Sequence, residues 1–105
     1  MYTVIETPIF QKYAAEVWNT FEREAFITWI AAHPDAGDVI PQTGGLRKVR
    51  WSRAGMGKRG GARVIYYNRL ENGDIWLLII YTKAKFDNLP ITFLQTLREE
   101  VENGR

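Results

Sequence analysis

Cysteine is absent, histidine occurs once, at His33, and no apolar run is longer than Ile75 to Tyr81. The first absence excludes disulfides and thiolate-bound metals and suits a reducing compartment. The second leaves no serine or cysteine triad, because His33 stands just before Pro34 at an expected helix end and suits a capping or dipole role. The third excludes a membrane-spanning helix, and the N-terminus MYTVIETPIFQKY has no basic start followed by an apolar stretch. A soluble cytoplasmic protein is expected, with no membrane partner. Repeats, low-complexity tracts and Pro/Ser-rich linkers are missing too, so residues 1–105 are read as a single domain.

Acid is also missing where base is densest. From Gly44 to Leu70 the chain carries eight cations, Arg47, Lys48, Arg50, Arg53, Lys58, Arg59, Arg63 and Arg69, and no Asp or Glu. The whole chain has 14 Lys plus Arg against 12 Asp plus Glu, so the net charge of +2 conceals a basic block in an acidic remainder. A merely solvated surface normally mixes both signs. With Trp51, Tyr66 and Tyr67 interleaved, the block reads as a surface for nucleic acid or another polyanion, since cations neutralise phosphates and aromatic rings stack on bases.

Glycines at 55, 57, 60 and 61 punctuate this block, but the loop is not a Walker P-loop: Arg59 follows Gly57-Lys58 where Ser or Thr is required. The block holds no carboxylate cluster, which argues against zinc or a two-metal nuclease, and no cofactor is expected. Asp35, Asp38, Glu99, Glu100 and Glu102 read as helix caps and solvated helix surface. RNA cleavage needs none of these groups, because the 2′-hydroxyl can itself attack the adjacent phosphate. The protein then has to position the chain, stabilise charge and move protons.

Periodicity supplies the scaffold. Tyr2 to Glu6 is β-rich, and Thr7-Pro8 opens a helix with Ile9, Phe10, Tyr13, Ala14 and Val17 on one face. Asn19 or Thr20 caps a second helix that runs through Phe21, Ala25, Phe26, Trp29 and Ile30 to Pro34. A loop over 36–45 leads to strands at Leu46 to Ser52, Ala62 to Leu70 and Ile75 to Thr82, the last two joined by a hairpin at Asn72-Gly73 and the last apolar enough to be central. Asp87 or Asn88 with Pro90 opens a final helix, which ends at Asn103-Gly104. The expected class is α+β, order βααβββα: a small, mostly antiparallel sheet with an N-terminal helical hairpin and a C-terminal helix. Alternation puts Lys48 and Arg50 on one face and Arg47, Val49 and Trp51 on the other; Arg63, Ile65, Tyr67 and Arg69 share a face of the next strand. If Arg63 pairs on the Lys48/Arg50 side, three cations converge.

The string GDVIPQTGGLRKVRWSRAGMGKRGGARVIYY, followed by a hairpin, an apolar strand ending IIYTK and a last helix, resembles the HigB-like branch of the RelE/ParE toxin superfamily over essentially the whole chain. The resemblance implies a type II toxin whose relatives cleave mRNA on the translating ribosome and are neutralised by a co-encoded antitoxin, a helix-turn-helix protein of the HigA type. It places the basic strand pair on Lys48 and Arg50, for substrate positioning and proton donation. The phosphate-facing arginine falls on Arg63, and Tyr81 and Lys83 enter the same neighbourhood, Tyr81 for base stacking or proton abstraction. Arg47, Arg53, Lys58, Arg59, Arg69 and Lys83 are left to contact RNA and the ribosome. Some RelE members carry an arginine after the last strand and a tyrosine further on, where this chain has Ala84, Lys85 and Phe86. Two other readings stay open: a ParE-like toxin acting on DNA gyrase, whose members generally lack the clustered cations, and a non-catalytic RNA-binding regulatory module.

Overall fold

A computed structural model of the chain describes residues 2–51, 61–86 and 88–103. Strand β1, Thr3–Glu6, leads into helix α1, Pro8–Val17, and a two-residue link leads to α2, Thr20–Ala32. Both helix starts are written in the sequence. The Thr7 hydroxyl accepts from the Phe10 amide at 3.1 Å and donates to the Leu77 carbonyl at 3.0 Å, so the cap also ties α1 to the sheet. Asn19 and Glu22 form a reciprocal capping box at 2.8 and 3.0 Å. At the far end His33 caps α2, its Nδ1 2.9 Å from the Trp29 carbonyl and its ring stacked on Trp29.

Beyond α2 come β2, Asp38–Val39, β3, Arg47–Trp51, β4, Ala62–Arg69, and β5, Asp74–Thr82, then α3, Ile91–Glu102. The sheet order is β1-β5-β4-β3-β2, antiparallel except for the β1/β5 pair. Two details differ from the sequence reading. The stretch read as a loop contains the two-residue edge strand β2, too short to show a period. Helix α3 is capped by Pro90 without a side-chain bond, so Asn88 lies upstream of the helix it was expected to open, and Asp87 lies outside the described residues. The cause is steric, since proline disfavours a helical residue before it. The β4/β5 hairpin turns through Leu70–Asn72 and closes on Gly73 at φ 79°, where the absence of a Cβ matters.

Each sheet face has its own core. Helices α1 and α2 lay Phe10, Ala14, Phe26 and Ile30 on Val49, Val64, Tyr66, Ile75, Leu77 and Ile80. Helix α3 lays Leu94, Leu97 and Val101 on Ile65, Leu78, Ile79 and Tyr81. Strand β5, second from the edge, is therefore buried on both faces, as its apolar run implied. A bulge opposite Ile65 and Tyr66 lets the consecutive Leu78 and Ile79 both face α3. That extra residue brings Trp76 and Tyr81, an odd number of positions apart, to the same side.

Candidate functional site

The β3/β4 register decides what the cations do. Arg50 pairs with Arg63, Lys48 with Ile65, and across the next ladder Arg63 pairs with Tyr81. Lys48, Arg50 and Arg63 thus share the α3 face of β3 and β4, the condition under which three cations converge, and Tyr81 lies on the same face of β5. Arg50 is exposed, and Lys48 and Arg63 are half-buried. Directly opposed like charges destabilise an antiparallel pair. Among the described residues no carboxylate relieves them: the ion pairs found are Arg23–Glu6, Arg47–Asp35, Lys85–Glu16 and Arg98–Glu102. Among the described residues the arrangement is a cationic row without a carboxylate partner, complementary to phosphate oxygens.

Beside the row lies a cleft of about 260 Å³ lined by Ile40, Lys48, Ile65, Tyr81, Asn88, Leu89, Ile91 and Leu94. Its walls are mostly apolar, Lys48 supplies a charge and Asn88 an amide. Ile91 and Leu94 come from the last helix, and nothing local in the sequence signals that Ile40 and Asn88 meet them there. Tyr81 is only 2% exposed, and its ring packs edge-on against Phe86 at 6.1 Å. In this structure the ring presents little open face of its own. Tyr81 forms part of the cleft wall.

The remaining cations separate. Arg47 faces the helical-hairpin side, where its guanidinium donates to the Gly37 carbonyl at 2.6 Å and lies 3.5 Å from Asp35. It fastens the chain between α2 and β2. Arg69 pairs with Asp74 in the ladder, six residues along β4 from Arg63, or about 20 Å at strand rise. It lines a different cavity, with Glu71 and Glu102. Lys83 is exposed in the turn that follows β5, two residues beyond Tyr81 and at the same end of the sheet as Arg63. Arg53, Lys58 and Arg59, with the glycine-rich loop through residue 60, lie outside the described residues.

Two tyrosines, Tyr66 on the helical-hairpin face and Tyr67 on the α3 face, are tied to structure. Burial pushes the Tyr66 hydroxyl above its ordinary range, against the opposing effect of the Gly37 amide that donates to it at 2.9 Å. It donates in turn to the Pro34 carbonyl at 2.7 Å. Tyr67 is raised by burial and then by its hydrogen bond to Glu102. Among the described residues no three His, Asp or Glu side chains gather as a metal site would need, and no helix is long and apolar enough to cross a membrane.

No family model matches the chain. Among solved structures it is similar to a double arginine-to-alanine variant of the E. coli toxin RelE in the free state, with a TM-score of 0.62. The likeness covers 92% of this chain and 96% of that one at 12% identity. At that identity the comparison speaks for the backbone, and it establishes an α+β domain with the RelE fold.

Proposed function

We propose that this protein is the toxin of a type II toxin-antitoxin pair, an endoribonuclease that cleaves mRNA on the translating ribosome without a metal. The convergence of Lys48, Arg50 and Arg63 on one sheet face, unpaired among the described residues, carries the reading. The RelE fold and the resemblance of the GGLRK and GKRGGARVIYY segments to HigB-like toxins support it.

The chemistry follows from those groups. The 2′-oxygen forms a bond to phosphorus as the bond to the 5′-oxygen breaks, leaving a 2′,3′-cyclic phosphate and a 5′-hydroxyl. Arg63, central in the row, neutralises the non-bridging oxygens as charge builds in the transition state. Lys48 and Arg50 hold the flanking backbone, and Lys48 supplies the proton to the departing 5′-oxygen. The 2′-hydroxyl proton passes to the Tyr81 oxygen at the cleft wall, acting as phenolate, and solvent then returns Tyr81 and the deprotonated Lys48 to their starting forms. Docking to the ribosome draws on Lys83 and on Arg53, Lys58 and Arg59, with Arg47 and Arg69 left to their places in the fold. The partner that silences it in the cytoplasm is a co-encoded helix-turn-helix antitoxin of the HigA type.

Mapping mRNA 5′ ends in cells expressing the protein tests this. Wild type should yield new ends inside translated frames, and Arg63→Ala should abolish them. A Lys48→Ala, Arg63→Ala double variant as toxic as wild type would place the site elsewhere. Broken DNA with intact messages would point to gyrase, and bound but uncut RNA on programmed ribosomes would point to a non-catalytic module.

A further inference from the structure

The Gly44-Gly45 pair that precedes the basic strand is not explained by phosphate chemistry. It belongs to a tight turn over 40–46. The Ile40 amide donates to the Leu46 carbonyl at 2.8 Å, and the buried Thr43 hydroxyl donates to the Ile40 carbonyl at 2.6 Å while accepting from the Leu46 amide at 3.2 Å. Three residues of this turn are left-handed, Gln42 at φ 67°, Gly44 at 74° and Gly45 at 104°. Such a turn needs support from outside.

Helix α3 supplies it at two points. Gln95 Nε2 donates to the Gln42 carbonyl at 2.6 Å, and Arg98 Nε donates to the Gly44 carbonyl at 3.0 Å. A Cβ on Gly44 would lie 2.6 Å from Arg98 Nε and 2.9 Å from Cζ, so the glycine is the seat of the guanidinium. Arg98 is further held over the Tyr67 ring at 5.2 Å and beside Glu102 at 3.7 Å.

This clip joins the two elements that wall the cleft, through residues that do not line the cleft themselves. Ile40 and Lys48 on one wall belong to the turn and the strand that it starts; Ile91 and Leu94 on the other belong to α3. Gln95 and Arg98 sit four residues beyond Ile91 and Leu94, so each anchor is one helical turn from a wall residue on the same side of a rigid element. We infer that Gln95 and Arg98 are positioning residues that set the separation of the cleft walls and the aim of Lys48, acting on the reaction through the Gln42–Gly45 turn. The inference rests on the reading of Lys48 as a group that meets the RNA.

Cleavage on programmed ribosomes tests it with purified full-length protein. Arg98→Ala should lower kcat about ten- to a hundredfold, as expected of a misplaced reacting group, with KM changed less than about twofold. The double variant Gly44→Ala, Arg98→Ala should be no worse than Gly44→Ala alone, because both break one contact. Tyr66→Phe, which loosens the opposite face, is the control and should keep kcat. In parallel, the Lys48 side-chain ¹³Cε resonance should move in Arg98→Ala and stay in place in Tyr66→Phe. Wild-type kcat in Arg98→Ala, equal losses in Tyr66→Phe, or an unmoved Lys48 resonance would each overturn the clip. Should wild type fail to cut RNA while the Lys48 resonance still responds to Arg98→Ala, the nuclease reading falls and the clip stands.

Discussion

The two faces of the sheet are made by the same strands and are finished differently. Two helices of 10 and 13 residues cover one face, and a single helix of 12 covers the other. A 12-residue helix is about 18 Å long, whereas nine-residue β5 extends about 30 Å, so α3 alone does not run the length of the strand, although Leu78, Ile79 and Tyr81 are buried on that face. On the two-helix face the one cation of β3, Arg47, is absorbed into bonds with Gly37 and Asp35. On the α3 face its neighbour Lys48, with Arg50 and Arg63, meets no acid among the described residues. Adjacent cations in a strand thus have different surroundings, because alternation sends them to opposite faces of the sheet.

That contrast can be broken from either side. Phe26→Ala, in the two-helix core and fully buried, should cost about 3–5 kcal/mol of stability, read from urea unfolding; a loss under 1 kcal/mol would mean the two-helix face is not the structural one. Arg63→Ala should cut the cleavage rate about 10²–10³-fold. Its stability should hold or rise by about 0.2–1 kcal/mol as the clash with Arg50 is relieved, so marked destabilisation would assign Arg63 a structural partner instead.

Tyr66→Phe removes a hydroxyl bonded to Gly37 and Pro34 and should cost about 1–3 kcal/mol. The Tyr66 and Tyr67 hydroxyls titrate above the ordinary value of 10.0, so the folded state favours their neutral forms. The stability they contribute is complete below that ordinary value and is lost as pH rises through the raised folded values. Thermal melts taken in alkaline steps should fall more steeply for wild type than for Tyr66→Phe, and parallel curves would remove Tyr66 as a cause. The smallest effect is expected for Arg47→Ala, about 1 kcal/mol of stability, with cleavage within twofold of wild type. Loss of cleavage without loss of stability would return Arg47 to the RNA surface.

Much of this was legible in the chain. Thr7-Pro8 and the Asn19/Glu22 pair mark helix starts because capping is a local exchange of hydrogen bonds. The Ile75 to Tyr81 run marks a central strand because only two covered faces accommodate it. Where the reading missed, the cause was distance in sequence or brevity. The strand β2 has two residues and no period. The bulge in β5 changes which residues share a face, yet no glycine or proline announces it. The enclosure of Tyr81 depends on Phe86 and α3 closing over it, and the cleft joins Ile40 to Asn88 across half the chain.

The sequence by itself determined the class of the fold, the concentration of positive charge between Gly44 and Leu70, and the separation of Lys48 and Arg50 from Arg47 by strand alternation. These depend on composition and on the two-residue period of a strand, which act locally. Only the tertiary structure decided that Arg50 meets Arg63, that Arg69 stands apart near Asp74, and that Arg98 rests on Gly44. Register and helix docking are set by the packing of two cores over the whole chain, and no local rule contains them.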